Sequence, residues 1–233
     1  MSSMTIKGIG KFTNMTDQLI LKFPSNTNYS KEDFYVSSSN QEAYDFVNSW
    51  PKWSKKIVNI FGPPGSGKTH ITSIIKNKTS VLSISSIDLN EDTFLKFKTK
   101  EVLVIKDLNN KISENLLFSI WNSALQDNKF ILITSLKPIG SYKFKLPDLK
   151  SRVNSCLSIG IKLPSDDLIS VIIAKNFSDK QIKVNKKHID YIVKRIDRSY
   201  EKISIFISIL DKYSLKKGSP FSLKLIKEVL KMM

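Results

Sequence analysis

The sequence predicts an α/β fold in which helices cover both faces of a parallel sheet and a small all-helical domain follows. From residue 57, short apolar runs alternate with helical patterns. A glycine-rich loop lies between the first apolar run and the first of these helical patterns. After Pro164 the strand-like runs stop and only helical patterns continue. Strands that alternate with helices in this way are typical of parallel sheets.

Five apolar runs are the candidate strands. They are IVNIF (57–61), SVLSI (80–84), EVLVI (101–105), FILIT (130–134) and LSIGI (157–161). Between the third and fourth runs, apolar residues recur at positions i, i+3, i+4 and i+7, a spacing that predicts an amphipathic helix. These residues are Leu117, Ile120, Trp121 and Ala124.

The region after Pro164 is predicted to contain helices alone, because its apolar residues again share single helical faces. One face comprises Ile189, Ile192, Val193 and Ile196, and another comprises Ile203, Phe206, Ile207 and Leu210. A last helix is expected to begin at Ser219-Pro220, since a serine cap followed by proline is typical of a helix start. We expect it to run to the end of the chain.

These patterns divide the chain into three parts. Residues 1–32 are polar apart from one apolar island and are predicted to form a flexible N-terminal segment. Residues 33–163 are predicted to form the α/β domain, and residues 164–233 the helical domain.

Composition limits the classes of protein to consider. The 233 residues are 41% hydrophobic and 25% charged, which is enough to bury a substantial core. No apolar run approaches the roughly 18 residues that a membrane span needs, and the N-terminus resembles no signal peptide. The single cysteine, Cys156, excludes an internal disulfide, and two histidines with one cysteine disfavour zinc. We therefore expect a cytoplasmic protein.

The net charge of +16 has two interpretations. It could indicate a nucleic-acid partner, or it could reflect a chain that is simply rich in lysine. Only three of the 37 basic residues are arginines, namely Arg152, Arg195 and Arg198. Scattered lysines favour the second interpretation, and an arginine retained in this background suggests a role that needs its planar, forked group of donors.

The most specific motif is FGPPGSGKTH (61–70), which has the phosphate-binding pattern Gly62-x4-Gly67-Lys68-Thr69 between a strand and a helix. Backbone N–H groups of such a loop surround phosphates at a helix N-terminus. Lys68 would reach the phosphates, and the Thr69 hydroxyl would hold Mg²⁺. The candidate nucleotide-binding residues here are Pro63, Pro64, Gly65, Ser66, Gly67, Lys68, Thr69 and His70.

Three further segments resemble the DnaA branch of the AAA+ ATPases, and more closely its Hda-type regulators. Residues 32–53 are similar to the segment that precedes the phosphate-binding loop on the adenine side. The string LPDLKSRV (146–153) is similar to the family's box VII, and RIDRSYEKISIFISILD (195–211) to its lid helix. The resemblance runs from about residue 16 to residue 233, and on this basis we expect an Hda-type regulator that lacks the helix-turn-helix DNA-binding domain of a full initiator.

The resemblance implies an AAA+ domain with a helical lid that binds ADP or ATP. It adds Phe34, Tyr35 and Val36 to the expected nucleotide contacts. It makes Arg152 an arginine finger that would act in trans on ATP held by DnaA. Hda-type regulators are thought to be ADP-bound partners of DnaA, to need little hydrolysis of their own, and to inhibit replication initiation.

The island Gln18-Leu19-Ile20-Leu21-Lys22-Phe23 is similar to the peptide by which Hda docks on the DNA polymerase sliding clamp. Leu19, Leu21 and Phe23 would enter a hydrophobic groove, and Gln18 would form hydrogen bonds at its edge. Alternatively, the island packs on the body of its own chain. In the family this peptide lies near the start of the protein, so Met15 is a candidate initiator.

Lys106 and Asp107 raise a question about the metal. The family commonly places an Mg²⁺-linked acid directly after the strand at 101–105, yet this chain has Lys106 there, followed by Asp107. An ammonium at the metal position would weaken Mg²⁺ binding. In this register Asp107 takes the next position, where the family has a carboxylate or amide that acts on the hydrolytic water, so Asp107 is a candidate catalytic residue. In the alternative register, Asp107 holds Mg²⁺ together with Thr69.

Two other family positions also differ. Leu136 stands where DnaA-type chains often have an acid, and Glu201 aligns with an arginine of the lid that contacts phosphate. Lys202 could substitute after a one-residue shift, and Arg198 could assist the phosphates instead. These differences predict a weak ATPase.

The resulting hypothesis is a nucleoid-associated regulator that binds adenine nucleotide and the clamp, reaches DNA through the clamp, and promotes hydrolysis of DnaA-bound ATP through Arg152. A homo-oligomer is possible. One alternative is a helicase loader or independent DNA-binding ATPase, which the charge of +16 supports. Another is a pure adaptor in which only the clamp peptide matters.

Overall fold

The computed structural model describes residues 34–179, 184–217 and 222–233. Its strands are β1 (Ile57–Phe61), β2 (Val81–Ser85), β3 (Val102–Leu108), β4 (Phe130–Ser135) and β5 (Leu157–Gly160). Helices of the first part are α1 (Gln41–Asn48), α2 (Lys68–Lys76), α3 (Glu91–Phe97), α4 (Glu114–Gln126) and α5 (Pro147–Asn154). The later helices are α6 (Asp166–Asp179), α7 (Lys186–Val193), α8 (Tyr200–Lys217) and α9 (Leu223–Lys231).

The five strands form one parallel sheet in the order β2-β3-β4-β1-β5. Alternate residues of a strand point to opposite faces, and each face of this sheet has its own apolar core. Leu103 and Ile105 pack with α4 in one core, whereas Val102 and Val104 pack with α1 and α2 in the other. The predicted α/β architecture with both faces covered is confirmed.

Strand β3 is longer than predicted. It continues past residue 105 through Lys106 and Asp107 to Leu108. In its pairing with β4, Ile105 lies opposite Ile133 and Leu108 lies opposite Ser135, so two residues of β3 face the single residue Thr134. The apolar run ends before the strand does because the two bulge residues are charged and less buried, whereas Leu108 is buried again.

The helices after Pro164 form a small domain around their own core, as predicted. That core comprises Ile169, Ile173, Phe177, Ile192, Ile196, Ile203, Phe206, Ile207, Leu210, Leu225, Ile226 and Val229. Ile196 belongs to it although α7 ends at Val193.

The start of the last helix differs from the prediction. Helix α9 begins at Leu223, and its cap is Ser222, whose hydroxyl accepts a 3.3 Å hydrogen bond from the Leu225 N–H. Ser219-Pro220 lies outside the described residues. A short hydroxyl side chain that accepts from the first helical turn satisfies one of its unpaired N–H groups, and the sequence offers two such serines close together.

Three hydrogen bonds connect the segment before α1, the end of the sheet and the lid. The Ser39 hydroxyl donates to the Leu163 carbonyl at 2.9 Å, and the Lys162 N–H donates to the Ser39 carbonyl at 2.9 Å. The Tyr200 hydroxyl donates to the Lys162 carbonyl at 3.3 Å. Residues 162–163 therefore join elements that line the candidate site on two sides.

Within the described ranges, no helix is both long enough and apolar enough to cross a bilayer. The island 18–23 lies outside those ranges.

Candidate nucleotide-binding site

The glycine-rich loop 62–67 turns from β1 into α2 at the carboxyl end of the sheet. Gly67 has φ of 87°, a left-handed conformation that favours glycine, and it caps α2. A cavity of about 400 Å³ opens over the loop. It is lined by Pro64, Gly65, Ser66, Gly67, Lys68, Thr69, His70, Asp107 and Leu136.

Lys68 is 8% exposed, and its ammonium donates hydrogen bonds to the carbonyls of Gly62 at 2.8 Å and Pro63 at 2.9 Å. Burial lowers the pKa of Lys68, and the nearby Asp107 carboxylate opposes that shift. A cation held among neutral carbonyls in a partly desolvated loop attracts an anion strongly. The cavity therefore suits phosphate.

The cavity contains Asp107 and excludes Lys106, which pairs with Ser85 of β2. The residue at the cavity is therefore Asp107 and not Lys106, as the alternative register predicts, and the metal role of Asp107 stays a prediction. The cause is the bulge in β3, which inserts one residue before the carboxylate. Asp107 and Thr69 supply oxygen donors to the same cavity, and oxygen donors are what Mg²⁺ prefers.

A second cavity, of about 190 Å³, continues from the loop toward the lid. Its lining is Phe34, Tyr35, Asn40, Gly65, Ser66, Gly67, His70, Leu168, Val171, Ile172, Lys175 and Tyr200. The rings of Phe34 and His70 stack with centroids 4.8 Å apart. This cavity is more apolar than the first and offers flat rings, which suits a heterocyclic base.

Most of the predicted nucleotide contacts lie in these two cavities. Of the predicted set, those that line a cavity are Phe34, Tyr35, Pro64, Gly65, Ser66, Gly67, Lys68, Thr69, His70 and Asp107. Val36 lines neither cavity, and Pro63 contributes through its carbonyl to Lys68.

Arg198 also lines neither cavity. Its guanidinium pairs with the Asp166 carboxylate at 3.0 Å on an exposed surface. In this structure Arg198 thus forms a pair within the lid, and its contact with phosphate stays a prediction. Glu201 is exposed in the first turn of α8, and neither Glu201 nor Lys202 lines a cavity.

The sequence analysis missed the lid side of the second cavity. Leu168, Val171, Ile172 and Lys175 have the spacing i, i+3, i+4 and i+7, so they form one face of α6. That spacing was available in the sequence, but nothing in it said which helix faces the loop. Tyr200 lies within the lid string 195–211 and contacts Gly65, where an added Cβ would lie 3.0 Å from the Tyr200 Cβ.

Arg152 lies apart from both cavities. It is on α5, half-buried, with its guanidinium carbon 5.5 Å from the centre of the Phe118 ring of α4. The connection before α5 is tied to α4 as well, because the Glu114 carboxylate accepts hydrogen bonds from the N–H groups of Lys145 and Leu146, the shortest being 2.7 Å. These hydrogen bonds lower the pKa of Glu114.

Cys156 is a partly buried core residue. It packs against the core on the α4 side of the sheet, and its thiol donates weakly to the Ile57 carbonyl at 3.5 Å. Burial raises the pKa of the thiol to about 12.

Together, the strand order, the phosphate-binding loop after β1 and the helical domain after β5 define an AAA+ fold. No protein-family model matches the chain. The chromosomal replication initiator protein DnaA of Campylobacter jejuni subsp. jejuni is 27% identical over 233 aligned positions, which cover 88% of this chain and 53% of the relative.

Solved structures agree with this relationship. The crystal structure of domain III of DnaA from Thermotoga maritima has a TM-score of 0.74 at 21% identity, covering 90% of this chain and 98% of that one. A DnaA structure with bound AMPPCP and single-stranded DNA has a TM-score of 0.67 at 19% identity, covering 83% of this chain and 69% of that one. The chain is thus similar in sequence to DnaA and has the fold of its domain III, and it spans about half the length of the curated relatives it matches.

Proposed function

We propose that the chain binds an adenine nucleotide across the two cavities. The observation that carries this proposal is that the cavities share Gly65, Ser66, Gly67 and His70 while differing in chemistry. One has the Lys68 ammonium and the N-terminus of α2 for phosphates. The other has the Phe34–His70 stack and the apolar face of α6 for the base. A DnaA structure that contains AMPPCP supports the choice of an adenine nucleotide.

The metal position in this proposal belongs to the Thr69 hydroxyl and the Asp107 carboxylate. Mg²⁺ bound there would neutralise charge on the phosphates. Lys106 has no part in it, because its side chain does not line the cavity. The proposed ATPase activity of the chain itself is weak, since Leu136 is an apolar group in the cavity and Arg198 is paired with Asp166.

We further propose that the chain regulates replication initiation by lending Arg152 to ATP held by DnaA. The relationship to DnaA supports the partner. Arg152 lines neither of the two cavities, which supports action on a neighbour's nucleotide, and Phe118 together with the Glu114 hydrogen bonds gives α5 a fixed position. In this role the segment 18–23 would hold the protein on the sliding clamp, so that DNA is reached through the clamp.

The direct test measures ATP hydrolysis by DnaA in the presence of this protein and DNA-loaded clamp. We expect stimulation only when all components are present, and its loss when any one is omitted. Lys68→Ala should abolish retention of ADP by this protein. Unchanged DnaA hydrolysis in the complete mixture would refute the regulatory role, and failure of the wild type to bind ADP or ATP would refute the nucleotide site.

The clamp peptide has its own test. Gln18→Ala, or Leu21→Ala combined with Phe23→Ala, should abolish clamp binding because loss of groove anchors costs about 2 kcal/mol or more. The melting temperature should stay unchanged, since these residues belong to the predicted N-terminal extension. A large fall in melting temperature would indicate instead that the island packs on the body of the chain.

Direct DNA binding is a second candidate function, and a specific surface favours it. In a parallel sheet with alternating helices, each helix ends close to the start of the strand that follows it. The helix–strand connections therefore all lie at the edge of the sheet where the strands begin. Among the described residues, the lysines at this edge are Lys52, Lys55, Lys56, Lys76, Lys78, Lys96, Lys98, Lys100 and Lys129. Glu101 and Asp127 are the acids there. Such an excess of lysine suits backbone phosphates rather than base edges.

Contacts hold this lysine edge together. The Lys56 ammonium donates to the Asn128 carbonyl at 3.3 Å, and the Lys129 ammonium donates to the Phe97 carbonyl at 3.0 Å. Lysines in the last turns of α2 and α3 are explained by favourable interaction with the helix dipole. Lys52 and Lys55 lie in the connection between α1 and β1, so the helix dipole does not explain them.

A salt titration tests the lysine edge. DNA affinity of the isolated protein should fall steeply with salt, and Lys55→Ala with Lys98→Ala should reduce the slope of log K against log [salt] by about 2. The matched control is Lys186→Ala with Lys187→Ala, two exposed lysines of α7. Equal effects of the two pairs, or no binding at low salt, would exclude the edge as a DNA site.

A further inference from the structure

Asp107 has an unusual backbone conformation. Its φ is 55°, in the left-handed region that residues with a side chain adopt rarely, and it lies inside a β-strand. The bulge with β4 leaves Lys106 and Asp107 together opposite Thr134. A conformation of this kind persists only when neighbouring groups hold it, and such residues concentrate at functional sites.

Two hydroxyl groups hold the backbone of Asp107 from opposite sides. The N–H of Asp107 donates to the Thr134 hydroxyl at 3.1 Å, and the Ser86 hydroxyl donates to the Asp107 carbonyl at 2.8 Å. Ser86 follows β2 and Thr134 lies in β4, so the bonds come from both strands that flank β3. The Asn109 amide in turn donates to the Ser86 hydroxyl at 3.0 Å, which fixes its orientation.

Both hydroxyls are buried, with Ser86 3% exposed and Thr134 2% exposed. Neither residue lines the cavity over the phosphate-binding loop. Their hydrogen bonds connect them to the cavity through Asp107, which lines it and whose carboxylate acts on the Lys68 ammonium.

We propose that Ser86 and Thr134 are positioning residues that fix Asp107 in its left-handed conformation, so that its carboxylate, and not the Lys106 ammonium, faces a divalent cation bound with nucleotide phosphates. This inference rests on the proposed nucleotide site and adds what determines its metal dependence. Without the two hydrogen bonds, the bulge has a lower-energy alternative in which residue 107 returns to extended backbone. The carboxylate then leaves the cavity.

The test compares ADP binding in excess EDTA with binding across an Mg²⁺ titration, using a fluorescent ADP analogue. Thr134→Val and Ser86→Ala should each raise the half-saturating Mg²⁺ concentration about tenfold, since supporting groups of a metal ligand typically contribute 10–100-fold. Asp107→Asn should do the same. Affinity in EDTA should change less than twofold in Thr134→Val and in Ser86→Ala, because these substitutions leave the phosphate-binding loop unaltered.

Matched controls separate positioning from general damage. Ser83→Ala is the same substitution in β2, on a serine whose hydroxyl has no hydrogen-bond partner among the described residues, and it should leave the Mg²⁺ titration unchanged. Lys106→Ala should also leave it unchanged. Thr134→Ser keeps the hydroxyl and should restore the wild-type titration.

Each other outcome overturns the inference. If Thr134→Val and Ser86→Ala titrate like Ser83→Ala, or if they weaken ADP binding equally in EDTA, the hydroxyls have only a structural role. An effect of Lys106→Ala as large as that of Asp107→Asn would assign the metal position to both residues. Failure of the wild type to bind ADP even with Mg²⁺ would refute the proposed nucleotide site itself.

Discussion

The guanidinium carbon of Arg152 lies 5.5 Å from the centre of the Phe118 ring, so α4 supports the arginine of α5, which lines neither cavity. A cation–π interaction of this kind contributes roughly 0.5–1 kcal/mol, which favours one orientation of the side chain but does not prevent its movement. Because Arg152 is half-buried, the ring also limits the orientations that the side chain can adopt before a partner arrives.

Arg152→Lys is the sharpest test of action in trans. We expect loss of stimulated DnaA ATP hydrolysis by about 10³-fold or more, because an ammonium cannot present two parallel donors to the transferring phosphoryl group. Retention of ADP and clamp binding by the variant should be unchanged. The measurement is the hydrolysis rate of DnaA-bound ATP at saturating regulator.

The control for this experiment is Arg195→Lys, since Arg195 stacks on Tyr191 in the lid and not near α5. It should stimulate like the wild type. Full stimulation by Arg152→Lys would mean that Arg152 acts only through its positive charge at long range. Loss of ADP from Arg152→Ala would indicate that Arg152 acts within the nucleotide site of its own chain.

Nucleotide affinity should depend on alkaline pH through Lys68. Burial lowers the pKa of Lys68 in the unliganded protein, whereas bound phosphates raise it, so binding favours the protonated amine. ADP affinity in EDTA should therefore be fully retained below the lowered pKa and should fall as the pH rises through it. Binding should take up a proton in that range, which calorimetry in buffers of different ionisation enthalpy measures.

Asp107→Asn provides a second test of the predicted pH dependence. The Asp107 carboxylate raises the pKa of Lys68, so its removal should move the decline in ADP affinity to lower pH. Constant affinity up to about pH 10, near the ordinary lysine pKa, would mean that Lys68 is not the group that holds the phosphates.

The fold was predictable because its signals are local and repeated. The run IVNIF became β1 with the predicted bounds, and the face Leu117, Ile120, Trp121, Ala124 is buried in α4. The phosphate-binding loop was predicted from the spacing of its glycines and Lys68-Thr69 between a strand and a helix, and the glycine spacing reflects backbone conformations such as the φ of 87° at Gly67.

The site was less predictable where it depends on tertiary contacts. The bulge at Asp107 has no local signal, because its partners Ser86 and Thr134 lie on other strands. The salt bridge that draws Arg198 to Asp166 also joins residues that are distant in sequence. Periodicity identifies a helical face but not what it packs against, and so the contribution of α6 to the second cavity was missed.

The contact between Gly65 and the lid predicts a strong effect of a single methyl group. Gly65 has φ of 74°, and an added Cβ would lie 3.0 Å from the Tyr200 Cβ. Gly65→Ala should weaken ADP binding at least tenfold, since left-handed backbone costs alanine roughly 1–2 kcal/mol and the methyl group also pushes α8 away. Gly140→Ala is the matched control, because its added Cβ meets nothing within 4 Å. Equal ADP affinity of the two variants would contradict the contact.

Asn59 should contribute more to stability than its place in an apolar strand suggests. It is fully buried in the middle of β1. Its side chain nevertheless forms hydrogen bonds with two groups of β4 and with one group in the segment after β4. The amide donates to the Ser135 hydroxyl at 2.8 Å and to the Ile133 carbonyl at 3.2 Å, and its oxygen accepts from the Ile139 N–H at 2.9 Å.

Asn59→Leu should therefore lower the free energy of unfolding by about 2–4 kcal/mol, because it leaves the buried Ile139 N–H without a partner and removes two further hydrogen bonds. For a chain of this length the melting temperature should fall by about 5–15 °C. Thermal unfolding followed by circular dichroism measures this change, with Asn115→Leu, an exposed asparagine of α4, as the control. Asn59→Asp should be at least as destabilising, since it replaces a donor with a buried charge. If Asn59→Leu melts like Asn115→Leu, the segment after β4 keeps its position through apolar packing of Ile139 alone.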